Sequence, residues 1–159
     1  MGSRSSEHIA YIAGFLDGDG SMMLQIKKRG DSTRGIRLMA TLCFYQDTRH
    51  ERELSWIQNI LGTGYRSVRN DGMSELRIQG FQRVHGVLTV LQPFIRFKKI
   101  QCKALMEACE ILMRTPLREM DEAMLKKLVT SILTIQQANY ATRKKRSKQE
   151  LYELIGLTP

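Results

Sequence analysis

The segment from Ala10 to Gly20, AYIAGFLDGDG, constrains the fold more than any other stretch. Read as a helix, it sets Ala10, Gly14 and Gly18 at four-residue spacing, so one face carries almost no side chain. A face this bare lets another helix approach to backbone contact. If that helix is a second copy across a two-fold axis, the two Asp19 carboxylates at the helix ends come side by side. Paired carboxylates repel unless a hard divalent cation neutralises them. Asp19 is therefore the expected metal ligand. Asp17 lies two residues earlier, points elsewhere on a helix, and is expected to be a structural or capping carboxylate. Ala10, Ala13, Gly14 and Asp17 form the expected dimer interface.

Two other chemistries use Asp-Gly-Asp-Gly. A calcium loop starting at Asp17 would need Gly at Met22 and Glu at Lys28, so it fails. Phe15 to Ser21 also looks like the nucleophile motif of haloacid-dehalogenase-type phosphatases, with Asp17 as nucleophile and Asp19 as acid/base. That motif follows a buried parallel strand, whereas the Ala-Gly segment here is helical. The phosphatase is the lesser alternative.

The chain has 159 residues, 42% of them hydrophobic, enough for one domain with a real core. Its 25 Lys and Arg against 16 Asp and Glu give a formal charge of +9, which fits a polyanionic partner. Cys43, Cys102 and Cys109 have no zinc spacing and leave an odd number for disulfides, so a soluble, reducing compartment is expected. No stretch approaches the length of a membrane-spanning helix, and no membrane partner is expected. Met1 to Ser6 is too short and polar for a signal or transit peptide.

Periodicity predicts an α+β fold in the order α-ββ-α-ββ-α, with extra C-terminal helices. Met22 to Lys28 alternates with Met22, Leu24 and Ile26 inward, and Ile36 to Tyr45 alternates with Leu38, Ala40, Leu42 and Phe44 inward. A helix is expected near Asp47, opened by a Thr48-x-x-Glu51 capping box and ended by Gly62. A second hairpin, 65–68 and 73–80, turns at Asn70-Asp71-Gly72. Three helical stripes follow, then the basic run from Arg143 and a short helix opened by Ser147-x-x-Glu150. Residues 7–140 form the expected core, and 141–159 a basic C-terminal segment.

The hairpins give a four-stranded antiparallel sheet with helices on one side and an open face. Gln25, Lys27, Arg29, Arg37, Met39, Thr41, Cys43, Tyr45, Arg66, Arg69, Glu75, Arg77 and Gln79 are assigned to that face or its rim. Long side chains ending in guanidinium, ammonium or amide groups reach base edges, and a curved sheet fits a major groove. Double-stranded DNA is the expected partner, with Thr142 and Arg143 as further contacts.

Ile12 to Gly20 resembles the signature of the LAGLIDADG homing endonucleases. Gln46 at the second strand's end, and Lys98 after Leu91-Gln92-Pro93-Phe94-Ile95-Arg96-Phe97, stand in the order and spacing of that family's single-motif members. His50 stands where some relatives carry a basic residue, commonly arginine. The likeness runs from about His8 to about Gln101, with one signature copy. It implies the LAGLIDADG fold and a homodimer on a nearly palindromic site. It also implies Mg²⁺-dependent cleavage of double-stranded DNA across the minor groove, leaving 5′-phosphate and 3′-hydroxyl ends, in the service of intron mobility. Mn²⁺ is expected to substitute, and Ca²⁺ to bind without supporting cleavage. By position, Asp19 would bind metal with help from the Gly18 backbone, and Gln46 would order the water network. Lys98 would stabilise the scissile phosphate or polarise water, and His50 would supply positive charge there unless Arg49 does. A plastid, mitochondrion or archaeal cytoplasm is implied. The alternative on the same fold is a DNA- or RNA-binding protein or intron maturase, with RNA as partner.

Overall fold

A computed structural model describes residues 5–32, 34–140 and 143–158. Helix α1, Ser6–Asp19, is opened by Ser5, whose hydroxyl accepts from the His8 N–H at 3.3 Å. It stops at Gly20, where a Cβ would lie 2.5 Å from Leu16 Cδ1 and 2.8 Å from Leu16 Cα. Only glycine fits there, and the chain passes directly into strand β1, Ser21–Lys28.

Strand β2, Ile36–Asp47, pairs antiparallel with β1 in a register from Ser21 opposite Cys43 to Lys28 opposite Ile36. It extends two residues beyond the expected end at Tyr45. Strands β3, Tyr65–Val68, and β4, Met73–Gln79, form the second hairpin, turning at Gly72 with φ +77°. Strand β4 pairs with β2, giving the antiparallel order β1-β2-β4-β3. A wholly antiparallel sheet removes the buried parallel strand that the phosphatase reading requires.

Helix α2, Glu51–Leu61, joins the hairpins and ends at Gly62 in the left-handed region, φ +69°. The Thr48-x-x-Glu51 capping box does not form. Asp47 instead accepts from the Arg49 N–H and opens a 3-10 turn, Thr48–His50. The Thr48 hydroxyl is drawn away to the second hairpin, donating to the Gly72 carbonyl at 2.8 Å and contacting Ser74 Oγ at 3.1 Å. Helices α3, Phe81–Leu91, α4, Lys99–Arg114, α5, Glu122–Ala138, and α6, Lys148–Ile155, complete the fold. The Ser147/Glu150 capping box is present at α6.

The inward strand residues Met22, Leu24, Leu42, Phe44, Leu76 and Ile78 pack with Ile12 and Leu16 of α1, Leu54 and Ile57 of α2, and Leu88 of α3. Leu151 and Ile155 of α6 join the same core. Burying each such aliphatic side chain contributes about 1.5–3 kcal/mol. Because the core lies on one sheet face, the other is left to polar side chains. Among the described residues no helix is long and apolar enough to cross a membrane.

Candidate functional site

The end of α1 is held by α4's leading loop. Asp17 is only 6% exposed. Its Oδ2 accepts from the backbone N–H groups of Arg96 at 2.7 Å and Phe97 at 2.9 Å, and its Oδ1 from that of Lys98 at 2.8 Å. Burial alone would raise this carboxyl, but the backbone N–H groups and the nearby Lys98 charge hold it below the ordinary carboxylate value. Asp17 is thus a capping carboxylate turned into its own protomer, not an interface residue. Ala13, fully buried in the core, must also be withdrawn from the interface. Both fall on the helix face that packs inward. With three N–H donors on its oxygens, Asp17 is no free nucleophile either.

The Lys98 ammonium donates to the carbonyls of Leu16 at 3.0 Å, Gly18 at 3.3 Å and Gly20 at 2.6 Å. All its hydrogens thereby have acceptors at the negative end of α1, where a cation is favoured. Burial lowers its pKa, against the opposing pull of Asp17 and Asp19. Asp19 is exposed, and its carboxylate makes no hydrogen bond or ion pair among the described residues.

Gln46 reaches the same end of the sheet. The register that sets Ser21 opposite Cys43 runs the residues before β1 alongside those after Cys43, and Ser21 Oγ and Tyr45 Oη are bonded at 3.1 Å. Gln46 Oε1 accepts from the Asp47 N–H at 2.9 Å. Arg49 folds onto Asp47, Nε and Nη2 each donating at 3.0 Å, and its guanidinium lowers the Asp47 carboxyl to about 2. His50 beside it is exposed, with no side-chain cap bond.

On the open face, Lys27 pairs across from Arg37, and Gln25 from Met39. Lys27 and Arg37 are exposed; Gln25, Met39, Tyr45 and Gln79 are half-buried. Arg29 at the rim is held by Asp31, while Arg69 pairs with Asp71 at 2.9 Å and lies 5.9 Å from the Tyr45 ring centre. Several assignments need correction. Thr41 and Cys43 are fully buried, short side chains covered by longer neighbours, and burial pushes the Cys43 thiol up. Glu75 is 7% exposed, bridged to Arg77 at 3.1 Å and accepting from Ser67 Oγ at 3.2 Å, so it orients Arg77 rather than reaching a base itself. Arg66 is on the helix side: it pairs in register with Leu76, and its guanidinium meets Glu51 at 2.9 Å and Gln58 at 3.1 Å. Tyr65 and Ser67, missed in the sequence, take the open face instead, opposite Arg77 and Glu75. Counting by twos from the inward Leu76 and Ile78 across the Asn70–Gly72 turn would have found them.

Thr142 lies outside the described residues. Arg143 is exposed at the start of a run held along the outer edge of β1. There Asn139 Nδ2 donates to the Met22 carbonyl at 3.1 Å, and Arg146 Nη1 to that of Ile26 at 3.3 Å. The outward face of α1 is as bare as its spacing predicts: a Cβ on Gly14 or Gly18 would meet nothing within 4 Å. Ala10 beside it is half-buried. Tyr11, 65% exposed, and Phe97, 87% exposed, add apolar surface that the four-residue pattern did not reveal.

Among the described residues no three His, Cys, Asp or Glu side chains converge as a metal site. The unpaired Asp19 carboxylate and the Gly18 carbonyl are hard oxygen donors that fit half of a divalent-cation site.

The family model described as LAGLIDADG endonuclease matches residues 12–105. The chain is 35% identical over 106 residues to DNA endonuclease I-CvuI of Chlorella vulgaris, covering 67% of this chain and 66% of that one. It is 33% identical over 107 residues to DNA endonuclease I-CreI of Chlamydomonas reinhardtii, covering 67% and 64%. These alignments span just under two thirds of each relative's length. Crystal structures of I-CvuI bound to DNA, one with magnesium and the DNA not cleaved, another with calcium, match at a TM-score of 0.75 and 28% identity. They cover 95% of this chain and 96% of that one. The chain belongs to the LAGLIDADG endonuclease family.

Proposed function

We propose that the protein is a homodimeric, site-specific endonuclease that hydrolyses both strands of a long, nearly palindromic DNA site with Mg²⁺. The observation that carries this reading is the free Asp19 carboxylate at the end of an uncovered small-residue helix face. A second α1 packed on Gly14 and Gly18 brings the second Asp19 that completes the half-site. Tyr11 and Phe97 extend the same interface.

Asp19 and the Gly18 carbonyl, which also accepts from Lys98, would hold the cation, with Mn²⁺ expected to substitute for Mg²⁺ and Ca²⁺ expected to bind without turnover. When bound, it supplies an activated water and charge neutralisation at the phosphate. Gln46 orients water at the strand end, His50 offers positive charge to the phosphate, and Lys98 fixes the carbonyl end of α1 beneath Asp19. Lys98 can touch a phosphate only by releasing one of its carbonyls. Lys27, Arg37, Arg77, Gln25 and Gln79 read base edges. That I-CvuI is known in complex with its DNA target supports DNA as the partner. Three free, buried cysteines suit a reducing compartment such as an organelle matrix.

Asp19→Asn tests the site. Cleavage of sites selected from a randomised duplex library should vanish while specific binding stays within a few-fold. Undiminished cutting by that variant would remove Asp19 from the centre.

A further inference from the structure

Arg34 stands in the connection between β1 and β2, where a cation would ordinarily be counted as a DNA contact. Its guanidinium is turned away from the open face. Nε donates to the Leu117 carbonyl at 2.9 Å, Nη2 to that of Met120 at 3.2 Å, and Nη1 reaches that of Ile155 at 3.5 Å. The first two acceptors lie between α4 and α5, and the third belongs to the last turn of α6, where carbonyls lack helical partners. Hairpin turns are mobile by default. This one is internally braced, with Arg29 N–H bonded to the Gly35 carbonyl at 2.8 Å and Ser32 Oγ to that of Ile36 at 2.8 Å, and Arg34 ties the brace to two distant segments. Arg146 adds a parallel tie from before α6 to Ile26 of β1. A groove of about 560 Å³ between turn and helix is lined by Lys28, Arg34 and Arg146 on one side and Glu150 and Glu153 on the other.

We propose that Arg34 is a positioning residue for DNA recognition: it couples α6 to the β1–β2 turn and so sets preference at the base pairs farthest from Asp19, without touching DNA itself. The inference rests on the endonuclease reading. Strand β1 leaves the Asp19 end and runs about 25 Å at ~3.3 Å per residue before the turn. That is about seven base-pair rises of ~3.4 Å. A turn free to swing would blur preference there and leave the centre of the site untouched.

The test compares the full-length wild type, Arg34→Ala and Arg34→Lys on a randomised duplex library, with salt dependence of binding and melting temperature measured alongside. Arg34→Ala should lower discrimination at the outermost base pairs about fivefold or more. Preference at the central base pairs and the slope of log affinity against log salt should not change. Arg34→Lys, which can keep one carbonyl, should recover part of the outer preference. Gly156→Val attacks the other side of the contact. Gly156 has φ +82°, so a β-branched residue strains the turn that presents Ile155, and the same outer loosening should follow even where Arg34→Ala fails to fold. A uniform loss at all positions, a shallower salt slope, or an outer preference that survives both variants overturns the proposal alone. A library in which wild type shows no preference overturns it together with the endonuclease reading.

Discussion

At the residue scale, Asp17 and Asp19 divide one motif between a carboxylate tied into the fold and one left open, and burial decides which is which. Asp17 lies under the Arg96–Lys98 backbone, while Asp19 meets solvent. Asp17→Asn places an amide NH₂ against N–H donors and should cost about 1–3 kcal/mol. The carboxyl is depressed in the folded state, so its stabilisation is present above the unfolded carboxylate pKa of about 4 and is lost as pH falls through the lower folded value. Urea midpoints of wild type and Asp17→Asn should therefore differ at pH 7 and converge in acid; an equal gap at both would show that Asp17 does not act through its charge. The neighbouring pair Arg49 and His50 separates the same way. Arg49 is paired with Asp47, leaving the exposed His50 side chain as the one open to a phosphate under the proposed function. Single-turnover cleavage should fall about tenfold or more in His50→Ala, in the range of positioned proton-transfer or charged groups. Arg49→Ala should cut normally, and the reverse ranking would assign the role to Arg49. The motif stands out in the sequence by its own spacing, whereas Gln46 and Lys98 are picked out only by their likeness in order to the single-motif members of the family. That Lys98 donates to three carbonyls of α1 was not legible there, since nothing local links positions eighty apart.

At the element scale, alternation exposes what a strand hides and hides what neighbours cover. The two hairpins, the Gly62 stop and the Ser147 cap were readable because each rests on local chemistry: period-two burial, a glycine at positive φ, a hydroxyl accepting from N3. The Thr48 box failed because a tertiary partner, the Gly72 carbonyl, competed for the hydroxyl. Arg66 was misplaced because β3 has only four residues, too few to fix its own phase without the β4 register. Helix α1 offers the sharpest test of an element. Within one protomer Gly14 has open space, so Gly14→Leu should leave the monomer folded and favour the helix by up to about 1 kcal/mol over glycine. In a dimer the same side chain would wedge two backbones apart. Sedimentation should show a folded monomer that no longer cuts both strands; an active dimer would place the interface elsewhere.

For the whole molecule, a formal charge of +9 overstates the cations available to a polyanionic partner. Arg29, Arg49, Arg66 and Arg69 are paired with carboxylates, while Arg34 and Arg146 hold backbone carbonyls; Arg77 also meets a carboxylate, but that of Glu75, which orients it on the open face. Composition counts all of them alike, so a sequence yields the sign of the partner but not the geometry of contact. Arg143, Lys144 and Lys145 are different: each is exposed, forms no ion pair among the described residues, and follows the edge of the sheet beside β1. If they meet phosphates, replacing all three by Ala should flatten the slope of log affinity against log salt by up to about 2.7, at ~0.9 per contact. The loss should fall equally on preferred and random duplexes, because phosphates carry no sequence information. Arg37→Ala provides the contrast, since an exposed guanidinium on the reading face should lose about 1–3 kcal/mol of discrimination at particular base pairs instead. Titrating both variants against a selected site and a scrambled duplex across salt separates the roles. A sequence-selective loss from the triple variant would make the run a reader of bases, and a uniform loss from Arg37→Ala would move that residue to the phosphates.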